Sequence, residues 1–81
     1  MAFYIHIKKL EETELTAVYT FSPDPETNMF GQLVINKIGG DIQEIQPHPE
    51  DLDKRLYVRA ARKVFVHHKN GEYPDITSWA S

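Results

Sequence analysis

Cysteine is missing from this chain of 81 residues, which excludes disulfides and thiolate-based metal sites and leaves the redox compartment unreadable. No apolar run approaches the ~20 residues that a membrane-spanning helix needs. The opening Met1-Ala2-Phe3-Tyr4-Ile5-His6 alternates like a strand and lacks the long apolar block of a secretory leader. A cytoplasmic protein with no membrane contact is therefore the expectation. Acid is scarce in one place only. Positions 54–69 hold six of the nine Lys and Arg residues and no Asp or Glu, while the rest of the chain carries all twelve acids against three lysines.

What is present fits one small domain. A hydrophobic fraction of 41% and a charged fraction of 26% are ordinary for a globular chain and too apolar for a disordered one. A net charge of -3 argues mildly against non-specific nucleic-acid binding by the whole molecule. No repeat, linker or low-complexity segment divides it.

The first half reads as strands. Phe3, Ile5 and Ile7 alternate with Tyr4, His6 and Lys8, the period of two that marks a half-buried strand. After an interruption at Glu11-Glu12-Thr13, Leu15, Ala17, Tyr19 and Phe21 alternate with Thr16, Val18 and Thr20. A polar loop with Pro23 and Pro25 follows, ending in Met29-Phe30. Leu33-Val34-Ile35 and Ile42-Gln43-Glu44-Ile45 then flank Gly39-Gly40. A two-residue glycine turn would set Ile35 opposite Glu44. A loop over 37–40 sets Ile35 opposite Ile42 and is favoured, with Gly40 supplying a positive φ.

A helix follows. His48-Pro49-Glu50-Asp51 has the proline and acids of a helix start, and Asn70-Gly71 has the residues of a stop. Leu52, Leu56, Ala60 and Val64 recur every four residues beside Tyr57, Ala61 and Phe65, giving one broad apolar face. Leu56, Ala60, Val64 and Phe65 are expected to pack on the sheet. The expected fold is α+β: a four-stranded antiparallel meander (strands about 2–9, 14–22, 31–37 and 41–46), then one long helix (about 49–69) packed on one face, with a short tail over 70–81.

No catalytic, metal or cofactor pattern is present, and none of these is expected. His67 and His68 point about 100° apart on a helix and lack the four-residue spacing of a ligand pair. Glu11/Glu12 reads as a turn and Glu50/Asp51 as a helix start rather than as catalytic carboxylates. No serine lies in a Gly-x-Ser-x-Gly context, and Gly39-Gly40 precedes a strand, so it is no phosphate loop.

The remaining signal is a surface. Arg55, Arg59, Arg62 and Lys69 fall on one stripe opposite the apolar face, with Lys54 and Lys63 on its flanks and Val58 and Val66 within or beside it. The stripe is either a solvated helix face or an interface for an acidic protein or a phosphate backbone. Met29 and Phe30 either serve an adaptable interface or fold back on the sheet edge, and Tyr73 and Trp79 either bind a partner or complete the core. Arg55, Arg59, Arg62, Met29, Phe30, Tyr73 and Trp79 are the candidate partner-binding residues.

From Gly31 onward the chain resembles a group of small bacterial proteins. The matching elements are Gly31-Gln32-Leu33-Val34-Ile35-Asn36-Lys37 with Gly40-Asp41-Ile42, Arg59-Ala60-Ala61-Arg62-Lys63, and Gly71-Glu72-Tyr73-Pro74-Asp75 with Ser78-Trp79-Ala80. Such proteins are similar to the single-domain immunity partners encoded beside secreted toxins. The resemblance implies a non-enzymatic domain that binds and blocks a toxin. An acidic body suits a basic toxin, whereas the basic helix suits the opposite kind of partner. A nucleic-acid-associated protein using the basic helix is the second reading, and a small-molecule-binding domain the third.

Overall fold

A computed structural model of the chain describes residues 4–24 and 28–80. The expected strand start at residue 2, with Phe3, and the middle of the proline loop at 25–27 lie outside the described residues. The elements run β1 (Tyr4–Glu12), β2 (Thr16–Ser22), β3 (Gly31–Asn36), β4 (Ile42–Gln46), α1 (Arg55–Lys69) and β5 (Ile76–Ala80). The five strands form one sheet in the order β4-β3-β2-β1-β5, with every neighbouring pair antiparallel. The fold is thus α+β with an antiparallel sheet and one helix. The C-terminal segment is a fifth strand rather than a tail, because Ile76 to Ala80 pair residue by residue with Lys8 to Tyr4 and cover the edge of β1.

The period-two pattern sorts the two faces. Ile5 and Ile7, Ala17, Tyr19 and Phe21, and Leu33 and Ile35 are buried on the side that meets Leu56, Ala60 and Val64 of α1. Removing each large aliphatic side chain from water stabilises the fold by roughly 1.5–3 kcal/mol before entropy is counted. The opposite face, with His6, Lys8, Val18, Thr20 and Val34, carries no second layer among the described residues. Ile35 pairs with Ile42, and Gly40 has φ 79°, as the four-residue loop requires. At Gly31 a Cβ would overlap the Phe21 ring and lie 2.9 Å from the His48 amide nitrogen, so the strand needs glycine there.

The helix begins at Arg55, not near Pro49. Residues 48–54 form turns closed by Asp51 N–H to His48 C=O and Lys54 N–H to Asp51 C=O. Lys54 takes a left-handed φ of 64°, a conformation that costs an L-residue about 1–2 kcal/mol. Its Nζ meets the Glu44 carboxylate at 2.7 Å. The first free N–H groups of the helix are then satisfied from upstream. Arg55 N–H donates to Asp53, and Leu56 and Tyr57 donate to the two oxygens of Asp51. Asp51 is buried in this role, while Leu52 is 92% exposed and no part of the apolar face. Phe65 is also corrected: it is 41% exposed, leaning on the His68 ring and the hairpin at Gly40 rather than into the core.

Candidate protein-binding surface

The outward face of α1 follows from its inward one. With Leu56, Ala60 and Val64 buried, a rotation of 100° per residue turns Arg55, Val58, Arg62, Phe65, Val66 and Lys69 to the exposed side, and all six are exposed. Val58 is 57% and Val66 46% exposed, values that a merely solvated face would give to polar residues. Arg55 pairs with Asp53 at 2.8 Å, on an exposed site where the pair contributes little. Arg59 is half-buried and donates to the Arg55 carbonyl at 3.3 Å. Arg62, Lys63 and Lys69 meet no carboxylate among the described residues.

The other candidates lie elsewhere. Tyr73 and Trp79 are half-buried and pack against the core. The Tyr73 hydroxyl meets His68 Nδ1 at 2.6 Å, and its ring lies 4.8 Å from Lys37 Nζ. Met29 is 44% exposed. Phe30 lines a shallow groove of about 480 Å³ on the sheet face away from α1, with His6, Lys8, Leu10, Thr20 and Ile76. The seven candidates therefore do not converge: the arginines belong to the helix, the two C-terminal aromatics to the packed layer, Phe30 to the opposite face, and Met29 to the exposed loop before β3.

A polar cluster under the C-terminal end of α1 was not expected. Glu12 lies in β1 rather than in a turn, and it bridges Lys37 and Lys9. Lys9 also reaches Asp75 and the Tyr73 carbonyl. Hydrogen bonds from Lys37 and then Lys9 hold the Glu12 carboxyl down at about 2. The bonds to Glu12 and Asp75 raise Lys9. Tyr19 donates to the Pro74 carbonyl at 2.8 Å, and burial pushes its hydroxyl up to about 12. One signal in the sequence could have located this cluster. The alternation that buries Ile5 and Ile7 places Lys9 next on the core side, where a cation needs partners. At the other end of the helix, burial first and the nearby Glu44 second raise Tyr57.

The histidines serve the same packing. His67 Nε2 lies 2.9 Å from Thr77 Oγ1 and Nδ1 3.5 Å from Glu72, so both rings of the His67-His68 pair hold the approach to β5. Among the described residues no three His, Asp or Glu side chains converge as metal ligands would. No helix of the described residues is long and apolar enough to cross a membrane. Compared with protein-family models, with curated proteins and with solved structures, the chain gives no significant match.

Proposed function

We propose that this chain is a non-enzymatic protein-binding domain that engages its partner through the outward face of α1. The supporting observation is the exposure of Val58, Phe65 and Val66 beside Arg62 and Lys69, whose charges meet no carboxylate among the described residues. A face that only meets water gains from i,i+4 ion pairs, and α1 contains no acid with which to form them. An apolar centre with a cationic surround fits a partner whose matching patch is apolar with an acidic rim. A secreted toxin blocked by this domain is one form of the reading. A phosphate backbone fits less well, because it gives Val58, Phe65 and Val66 nothing apolar to cover.

The test is capture of partners from source cells, followed by titration of the purified pair against salt. A protein partner gives a shallow dependence, whereas phosphate contacts give a slope near -0.9 per contact on a log–log plot. The double variant Arg62→Glu with Lys69→Glu should lose capture while keeping its melting temperature. Intact capture by that folded variant would reduce the α1 face to solvated surface.

A further inference from the structure

The two edges of the sheet are built differently. β4 is guarded: its pairing with β3 shifts register between Gln32 and Leu33, Pro47 follows its last residue, and Glu44 turns its carboxylate toward Lys54. Bulges, prolines and inward charges are the devices that keep an edge strand from pairing with another chain. β5 has none of them. Ile76, Thr77, Ser78, Trp79 and Ala80 include no charge and no proline, and their pairing with β1 runs without a shift.

The direction of the free backbone groups follows from one bond. Lys9 N–H donates to the Asp75 carbonyl at 2.8 Å. Bonded residues alternate along an antiparallel pair, so Thr77 and Trp79 bond to Ile7 and Ile5. The N–H and C=O groups of Ile76, Ser78 and Ala80 therefore face away from β1, and no other strand meets them among the described residues.

Charge borders this edge on both faces. The contact of His67 with Thr77 sets that flank of α1 beside β5. Lys63 lies one turn back on the same flank, at i-4 spacing. On the uncovered face Lys8 stands opposite Ile76, and neither Lys8 nor Lys63 meets a carboxylate among the described residues.

We infer that the outer edge of β5 accepts an extended segment of a partner protein as an added antiparallel strand, one that carries Asp or Glu at alternate positions. Main-chain bonds to Ile76, Ser78 and Ala80 supply affinity, and the flanking cations select acidic side chains. The inference rests on the protein-binding reading above and adds a second contact, separate from the outward face of α1, with the same partner. A second copy of this chain is the poorer occupant. Two-fold pairing of β5 with itself would place Lys63 of both protomers along one seam, where like charges repel.

The probe is a short acetylated peptide alternating glutamate with valine, compared with its lysine counterpart. The glutamate peptide should bind and slow hydrogen exchange at Ile76, Ser78 and Ala80, and the lysine peptide should not. Ser78→Pro deletes one outward N–H without touching a bond to β1, as edge positions tolerate, and should weaken binding about tenfold or more. Lys63→Glu should weaken it comparably and carries the test if Ser78→Pro does not fold. Arg62→Glu with Lys69→Glu should change peptide affinity by no more than about twofold, since screened charges at that range act weakly. No binding of the glutamate peptide, equal binding of both peptides, or protection of these amides by dimerisation without peptide would each overturn the inference. If the peptide fails while the α1 variant still abolishes capture of the whole partner, only the edge inference falls.

Discussion

The carboxylate of Asp51 accepts the backbone N–H of Leu56 at 3.0 Å, from five positions upstream and from outside the helix. Its second oxygen accepts Tyr57 N–H at the same distance. Asp51→Ala would leave two helix N–H groups without acceptors in a buried setting. The expected cost is about 2 kcal/mol, which lowers the melting temperature by about 10 °C in a domain of this size. Asp51→Asn, with one acceptor oxygen, should fall between. Thermal melts of both variants check the order, and an unchanged Asp51→Ala would show that the helix start does not depend on this cap.

Leu56 and Phe65 should respond oppositely to what their sizes suggest. Leu56 is buried in the core and Phe65 is substantially exposed. Leu56→Ala should cost about 2–5 kcal/mol, and Phe65→Ala about 1 kcal/mol or less. Denaturant titration of the pair decides it. A larger loss from Phe65→Ala would put that ring inside the packed layer.

The cluster beneath the helix end predicts the pH dependence. Glu12 is held at about 2 in the folded chain, below its ordinary 4.5, chiefly by Lys37 and then by Lys9. Between those values the unfolded chain binds the extra proton, so stability is full above 4.5 and is lost as pH falls toward 2. Glu12→Gln should flatten that acid limb. Tyr19 titrates in the opposite sense. Its hydroxyl is pushed from 10.0 to about 12 by burial, so the folded chain keeps a proton that the unfolded one releases, and stability falls as pH rises through that window. Tyr19→Phe should remove that alkaline component, as melting curves across pH would reveal.

For the outward face of α1, charge reversal at Arg62 and Lys69 should abolish partner capture and leave the melt unchanged. Both side chains are exposed and lie opposite Leu56, Ala60 and Val64, and exposed substitutions usually move stability by within about 0.5 kcal/mol. Capture and melting temperature measured together separate a lost contact from a lost fold.

Much of this architecture was legible in residue order because period-two burial is a local signal. The faces of β1, β2 and β3, and the pairing of Ile35 with Ile42, follow from alternation and from one glycine. β5 was not legible. It is short, follows a proline and pairs with residues at the far end of the chain, where no local pattern reaches. The helix start misled for a chemical reason: Pro49, Glu50 and Asp51 have the composition of a first turn, yet Asp51 caps a helix that begins four residues later. Phe65 misled because it continues the four-residue row of Tyr57 and Ala61, which are half-buried, and each step along that row turns 40° further from the line of Leu56, Ala60 and Val64. Arg62 and Lys69 were placed on the outward face by spacing alone, whereas the pairing of Arg55 with Asp53 depends on a turn that spacing does not describe.

Tyr4 lies opposite Ala80, so the first described residue of β1 and the last of β5 emerge at the same end of neighbouring strands. Tension applied through these two positions runs along the bonds that join the strands instead of across them, since antiparallel bonds stand perpendicular to the strand axis. The load falls first on the single pair at the end and passes to the next only when that one opens. Pulled in this direction, the sheet unzips from β5 one rung at a time and yields at low force, whereas pulling between Tyr4 and Ile76 shears all the rungs of that ladder together and meets much higher resistance.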